Sequence, residues 1–471
     1  MMHDGRLSQA LWTAEDAAEA IAGRLVGADS WIATGLSIDS RSLQPGDVFI
    51  ALQDARDGHE FVVDAFARGA SAALVSRLPA GESPGPLLLV DDTLEALRAL
   101  GQAARARCPA KRAAITGSVG KTSVKDVLAA ALARSGPTHA AVKSFNNHLG
   151  VPLTLARMPQ ASAYGVFEIG MNHRHEIAPL AKLVAPDLAI ITIIAPVHLE
   201  ALGDMANIAR EKGDIFSGLA PGGAACVPAD SPHADLLLEA ARQAGAQIVR
   251  FGREPGLEAR LLTFEAGPES SIAEAEIFGK RIRFAIGAPG MPWAHNGLAV
   301  LAACAWLTGS ADPGIAALEA LSAMPGRGQA QRVQGPNGAF VLVDDSYNAS
   351  PVSIAAALET LALRPIAPFG RRIVALGDML ELGPEAEAHH RALAPKIVRA
   401  KVDLVFAAGP LMRALWEELP QSVRGAYAPD AEALIPHLVG ELRDGDMILI
   451  KGSNGSRMYR VAAALAQLAA H

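Results

Sequence analysis

The sequence predicts an α/β protein of three domains: a small α/β N-terminal domain over residues 1–108, a central P-loop domain with a mostly parallel sheet over 109–326, and a Rossmann-like C-terminal domain over 327–471. Three observations lead there. At 471 residues the chain exceeds what one hydrophobic core organises, and ordinary domain size gives about three units. From Arg112 onward, apolar runs alternate with helical patterns, the signature of a parallel sheet covered on both faces. Between one such run and its helix lies Ile115-Thr116-Gly117-Ser118-Val119-Gly120-Lys121-Thr122-Ser123, a glycine-rich turn of the kind that cradles phosphate.

In chain order, Thr13 is placed to cap an Ala-rich helix that ends near Gly23 or Gly27. After the Pro45-Gly46 turn, 47–52 reads as a strand, 61–69 as a helix and 72–75 as a second short strand. Residues 79–86, rich in Pro, Gly and Ser, read as a loop, and this unit closes near Cys108-Pro109. In the middle of the chain, 112–116 is the strand entering the glycine-rich turn and 123–134 the helix leaving it. The runs 164–169 and 188–194 are apolar and β-branched enough to be central strands. In the last unit, strands at 339–343, 372–376, 403–407 and 446–450 alternate with helices at 352–363, 385–398, 410–418 and 457–468. No G-x-G-x-x-G loop accompanies that alternation, so a dinucleotide is not implied.

Composition narrows the classes. Half the residues are hydrophobic and 19% are charged, which is globular rather than disordered. The net charge of −7 provides no basic footprint for nucleic acid or an anionic membrane, so any anionic substrate must be held locally. The opening Met1-Met2-His3-Asp4-Gly5-Arg6 lacks a basic stretch followed by an apolar core, and runs such as 188–195 fall far short of a membrane span. A cytoplasmic protein without membrane insertion is expected, acting as a monomer. Cys108, Cys226 and Cys304 have neither disulfide nor metal spacing and are expected as small buried hydrophobes.

The chemistry begins at the glycine-rich turn, which points to ATP. Gly117 and Gly120 let consecutive N–H groups aim at phosphate oxygens, Lys121 supplies a point charge, and Thr122 can reach a magnesium ion. Ile115 stands where the longer motif has its first glycine, leaving G-x-x-G-K-T-S. Three polar groups follow in apolar surroundings: Glu168 at a strand end, His198 in Ala195-Pro196-Val197-His198-Leu199-Glu200, and Lys212 within a helix at 210–216. Functional groups of such a sheet collect at the carboxyl ends of its strands, so Glu168, His198 and the loop at 117–122 are expected at one edge. There a carboxylate and an imidazole serve as magnesium ligands for phosphoryl transfer. Read singly, Glu168 could equally be a satisfied buried acceptor, His198 a turn residue and Lys212 a solvated helix lysine.

Together, these segments make the chain similar to the Mur ligases over nearly its whole length. That family carries a loop G-[ST]-x-G-K-T, a strand-end E-[IM]-G, a His-Leu-[DE] segment and a helical lysine. Here they are Gly117 to Thr122, Glu168, His198 to Glu200, and Lys212, in that order. The resemblance implies that Glu168 and His198 join Thr122 as ligands of magnesium, with two ions in all. It also implies that Lys212 is carboxylated on its side-chain nitrogen and that Lys121, Lys212 and His198 are catalytic.

Within the family, the segments 143–154, 344–351, 376–383 and 449–453 resemble the members that join D-alanyl-D-alanine to UDP-N-acetylmuramoyl-tripeptide through an acyl phosphate. Ser350 stands there in place of an Asn, and the D-N-P-R segment of diaminopimelate-adding members is absent. Ile38-Asp39-Ser40-Arg41, 45–52 and Asp57-Gly58-His59-Glu60-Phe61 resemble the family's uridine-nucleotide domain, although Gln53-Asp54-Ala55-Arg56 departs from the usual glycine. Ser40 and Arg41 suit a diphosphate, since a hydroxyl and a guanidinium fork match its oxygens; a surface salt bridge is the other reading of Arg41.

The remaining site residues follow by resemblance. Asn296, after His295, is expected near the adenine, Arg327 in Pro325-Gly326-Arg327-Gly328 on phosphate, and Asn146 on substrate. Asp345, Tyr347 and Asn348 are expected to meet ATP or the dipeptide when the last domain closes, with Asp345 placed on the ATP side together with Gly117, Ser118, Val119, Gly120, Lys121, Thr122 and Ser123. Lys451 and Ser453 are expected on the dipeptide carboxylate, or else as a plain turn and helix start. Another amide ligase of this type, folate-polyglutamylating ones included, and a non-catalytic nucleotide-binding protein are the competing readings.

Overall fold

The computed structural model describes residues 10–54, 56–142, 144–322 and 326–468. Met1 to Arg6, Ala55, Lys143 and Pro325, quoted above, lie outside the described residues.

A five-stranded sheet opens the molecule, in the order Arg24–Val26, Leu87–Leu89, Ala72–Val75, Asp47–Ile50, Gly35–Ser37. All neighbours are parallel except the first pair. Asp47–Ile50 and Ala72–Val75 are buried along their whole length, as befits apolar runs covered on both faces. Helix Ala14–Ile21 starts as its sequence predicts: Thr13 Oγ1 accepts a hydrogen bond from Asp16 N at 3.1 Å. The expected helix at 61–69 is shorter, a 3₁₀ turn over Gly58–Phe61 followed by Val62–Ala67. Asp57 starts that turn by accepting from His59 N. The core of this sheet does not stop at Cys108. Leu97 and Leu100 of helix Thr93–Arg107 share a cluster with Leu153 and Ala156 of helix Gly150–Ala156, and Trp12 Nε1 donates to Ala156 O at 3.0 Å.

The central sheet has nine strands, in the order Lys280–Ile286, Ser271–Ile277, Ala259–Ala266, Gln247–Gly252, Ala224–Pro228, Leu188–Ile191, Lys111–Thr116, Tyr164–Glu168, Thr138–Ala140. Seven run parallel, and an antiparallel ribbon over 259–286 extends them. No expectation covered that ribbon. Its alternating burial, seen in Ser271–Ile277, reflects one face laid on helix Met291–Thr308 and one left to solvent. Lys111–Thr116 lies in the middle of the sheet, flanked by the strands that end at Glu168 and Ile191. The residues after these three strands therefore share one edge.

The last sheet has six strands: Gln329–Gly335, Gly338–Asp344, Met447–Lys451, Arg372–Gly377, Leu404–Ala408, Arg424–Ala428. Only its first pair is antiparallel. The helix expected over 385–398 is broken into Ala386–Arg391 and Ala394–Arg399, because Pro395 offers no N–H and belongs in the first turn of a new helix. Among the described residues no helix is long and apolar enough to cross a membrane.

Candidate functional site

The phosphate loop closes between strand Lys111–Thr116 and helix Lys121–Leu132. Both of its glycines are required. Gly117 has φ 147°, and a Cβ there would stand 1.9 Å from Thr192 Oγ1. Gly120 has φ 89°, and a Cβ there would stand 2.7 Å from Asn296 Oδ1. The loop is stitched to the neighbouring strand end: Ser118 Oγ donates to Ala195 O at 3.0 Å and accepts from Ala195 N at 2.9 Å, while Thr192 Oγ1 donates to Val119 O at 2.5 Å. Helix Lys121–Leu132 has no side-chain cap, so its first-turn N–H groups, Ser123 among them, face the loop mouth as an anion site does.

Lys121 folds back over this loop, Nζ donating to Gly117 O at 2.7 Å. Burial holds its pKa below the ordinary lysine value, Arg327 adds to that, and Glu168 opposes it. Thr122 Oγ1 donates to Glu168 Oε2 at 2.8 Å and lies 3.3 Å from Ser144 Oγ. Asn146 Nδ2 donates to Glu168 Oε1 at 2.8 Å, so both oxygens of this carboxylate, 2% exposed, are engaged. Tyr347 OH, from the last domain, donates to Ser144 Oγ at 3.1 Å, and Arg327 lies over the Tyr347 ring at 4.3 Å. Tyr347, Ser144, Thr122, Glu168 and Asn146 therefore form one continuous hydrogen-bonded line from the last domain into the phosphate loop. A hydroxyl beside a carboxylate is a hard-oxygen donor set, which fits magnesium.

His198 sits apart from that line. It precedes helix Leu199–Leu202 at φ 56°, with Nδ1 2.5 Å from Glu381 Oε2 of the last domain. Among the described residues it makes no hydrogen bond to Thr122 or Glu168. His198 holds the Glu381 carboxyl below the usual carboxylate range, against the opposing effect of burial. Lys212 lies in helix Met205–Gly213, whose start Asp204 caps by accepting from Asn207 N. Its side chain is 1% exposed rather than solvated, and burial first, then Lys121, pushes its pKa well below the lysine range, with Glu211 opposing.

The other expected residues fall into two groups. Asn296 abuts Gly120, and the His295 beside it stands 3.2 Å from Thr192 O with its ring 4.9 Å from Phe251. These belong to the loop's surroundings. Lys451 and Ser453, expected on the dipeptide carboxylate or else as a plain turn and helix start, have hydrogen-bond partners within the last domain. Lys451 Nζ is 2.7 Å from Asp345 Oδ2 and 2.9 Å from Asn348 O, and Ser453 Oγ donates to Ala349 O while accepting from Leu380 N. Both are buried, and their hydrogen bonds pin the loop at 345–349 to the strand behind it. Burial raises the Asp345 carboxyl, with Lys451 acting against it. In the first domain, Ser40 is buried and helps hold the Asp64 carboxyl below the usual carboxylate range, whereas Arg41 is exposed and forks onto Asp39 at 2.9 and 2.8 Å.

A model of the Mur ligase middle domain matches residues 115–304, and one of the Mur ligase, glutamate ligase domain matches 326–454. The UDP-N-acetylmuramoyl-tripeptide–D-alanyl-D-alanine ligase of Escherichia coli K12 is 35% identical over 458 residues, covering 94% of this chain and 96% of that protein. The chain belongs to the Mur ligase family. Two solved Mur ligases are similar throughout. A MurF crystal structure from Acinetobacter baumannii has TM-score 0.83 at 28% identity, covering 97% of this chain and 99% of that one. The Thermotoga maritima MurF ligase, solved in complex with ADP, has TM-score 0.77 at 25% identity, covering 93% and 98%.

Three site features escaped the sequence. Ser144 is an ordinary serine until folding sets it between Thr122 and Tyr347, and Glu381 looks like any loop carboxylate until it meets His198. His175, Glu211 and Asp214 also gather, their ligand atoms within 4.8 Å of one another. Glu211, however, accepts the N–H groups of His175, Glu176 and Ile177, which makes it a cap for helix Ile177–Val184. A cavity of about 550 Å³, lined by Arg98, Arg105, Asn147, His148, His175 and Lys182, lies between helix Thr93–Arg107 and that cap, beside Asn146 in sequence rather than over the phosphate loop.

Proposed function

We propose that the protein joins D-alanyl-D-alanine to UDP-N-acetylmuramoyl-tripeptide while converting ATP to ADP and phosphate, an amide ligation in cytoplasmic peptidoglycan precursor synthesis. The observation that carries the reading is the hydrogen-bonded line from Tyr347 through Ser144 and Thr122 to Glu168 and Asn146, which ties the last domain to the phosphate loop. Similarity to a UDP-N-acetylmuramoyl-tripeptide–D-alanyl-D-alanine ligase in sequence and to a MurF in fold supports the choice of substrates. Similarity to an ADP complex supports the nucleotide. On this reading residues 1–108 hold the uridine nucleotide, 109–326 bind ATP, and 327–471 close over the site.

The loop amides and Lys121 hold the β- and γ-phosphates, with Arg327 and Asn296 at the rim of the nucleotide site. Thr122, Glu168 and His198 are the residues that would hold magnesium, which when bound offsets charge on the transferring phosphoryl group. The terminal carboxylate of the tripeptide attacks the γ-phosphorus, the bond to the bridging oxygen breaks, and ADP leaves with an acyl phosphate formed. The amine of D-alanyl-D-alanine then adds to the acyl carbon, and the tetrahedral intermediate expels phosphate as the amine loses a proton. Seating of the last domain excludes water that would otherwise hydrolyse the acyl phosphate.

Lys212 fits carboxylation. Only the neutral amine attacks carbon dioxide, and burial favours that form. The new N–C bond, with loss of one N–H proton, turns the neutral amine into an anion within the electrostatic reach of the Lys121 cation. The deciding assay is ADP release with UDP-N-acetylmuramoyl-tripeptide, with and without D-alanyl-D-alanine. Release that requires both is expected; release indifferent to the dipeptide would replace this reading by a different amine or a plain ATPase.

A further inference from the structure

The loop Leu380-Glu381-Leu382-Gly383 of the last domain docks on the segment that carries His198. Two contacts make the joint: His198 Nδ1 lies 2.5 Å from Glu381 Oε2, and Glu200 N donates a main-chain hydrogen bond to Glu381 O at 3.3 Å. Three backbone positions at the joint are left-handed: His198 at φ 56°, Glu381 at 63° and Gly383 at 66°. A Cβ at Gly383 would come within 3.4 Å of Glu200 N. Left-handed backbone at two residues other than glycine persists only where the surroundings over-determine it.

The surroundings do so from behind. Leu380 N donates to Ser453 Oγ at 3.0 Å, Met379 N donates to the buried His390 Nε2 at 3.0 Å, and Ser453 N donates to Asp378 O at 3.0 Å. The loop is thus held rigidly, yet the carboxylate it offers is 57% exposed and contributes nothing to its own domain's core. An imidazole whose Nδ1–H is donated to a carboxylate has a fixed tautomer and ring plane, and Nε2 carries the lone pair that a metal needs.

We propose that Glu381 is a positioning residue for the metal site: seating of the last domain brings its carboxylate onto His198 Nδ1, which fixes Nε2 as the ligating nitrogen. Metal competence is thereby coupled to domain closure. The inference rests on the magnesium-ligand reading of His198.

The test is Mn²⁺ binding to the full chain in the presence of ADP, followed by electron paramagnetic resonance, for Glu381→Ala, Glu381→Gln, His198→Ala and the double variant His198→Ala/Glu381→Ala. Glu381→Ala is expected to weaken binding about 10- to 100-fold, as loss of a ligand-orienting partner does. Glu381→Gln, whose amide oxygen still accepts the Nδ1–H, is expected to recover most of the affinity. The double variant is expected to bind no more weakly than His198→Ala, because Glu381 acts only through that ring. Unchanged Mn²⁺ affinity in Glu381→Ala, with His198→Ala weakened, overturns this inference alone. Unchanged affinity in His198→Ala overturns the ligand reading and this inference with it.

Discussion

Replacing Lys121 by Ala tests the phosphate site most directly. Lys121 is half-buried, its Nζ hydrogen-bonded to Gly117 O at 2.7 Å and within the electrostatic reach of Glu168 and Arg327. With a triphosphate in the loop, an ammonium about 4 Å from a phosphoryl oxygen contributes roughly 4 kcal/mol at an effective dielectric of about 20. Part of that acts on bound ATP before reaction, so about 3 kcal/mol remains for the transition state, a fall in kcat of roughly 100-fold or more. The assay is steady-state ADP release at saturating substrates, paired with thermal unfolding with and without ADP. Without nucleotide, Tm is expected to move by only a few degrees, because the lost hydrogen bond, worth about 1 kcal/mol, is offset by removal of a cation that burial disfavours. The rise in Tm that ADP brings should shrink in the variant. A kcat within about fivefold of the parent would refute the electrostatic role.

Lys212→Ala is expected to be inactive and to regain part of its turnover with added acetate or formate, which stand in for the carbamate; no recovery at any concentration would exclude carboxylation. Lys451→Met leaves the Asp345 carboxylate and Asn348 carbonyl without their cation. A fully buried pair broken on one side costs about 3–5 kcal/mol, and partial solvent access at Asp345 reduces this to about 2–3, read as a lower urea midpoint. An unchanged midpoint would show that the loop at 345–349 does not depend on Lys451. In the first domain, Arg77, then the N–H and ring of His59, hold the Asp57 carboxyl well below the usual carboxylate range. A depressed folded-state value contributes stability above the unfolded carboxylate pKa and loses it as pH falls through the folded value. Asp57→Asn should therefore lower Tm at neutral pH and progressively less in strong acid; a constant difference across that range would refute the pairing.

The phosphate loop was legible because its chemistry is local: the turn needs glycine at 117 and 120, and the lysine and threonine follow directly on the helix. Glu168 was legible as a carboxylate ending an apolar strand, and the central strand beside it places it at the loop. The antiparallel ribbon over 259–286 was not, because one-sided burial on a helix is a tertiary fact that its half-polar alternation does not announce. The broken helix near Pro395 shows a local signal that periodicity alone overrides.

The site residues divide in the same way. The sequence by itself determined the α/β class, the position of the nucleotide loop and the residue types able to hold phosphate and magnesium, since these depend on near neighbours and on the period of the chain. Tertiary structure alone decided which polar groups are already taken. Lys451 and Ser453 carry the same donors as any substrate-binding pair, but folding spends them on the loop at 345–349. Lys212 reads as a solvated helix lysine until packing removes its water. Ser144 and Glu381 gain their importance only because a separate domain, far along the chain, brings Tyr347 to the one and carries the other to His198. Hydrogen-bond partnership and desolvation depend on distances between remote segments, and those distances exist only in the folded chain.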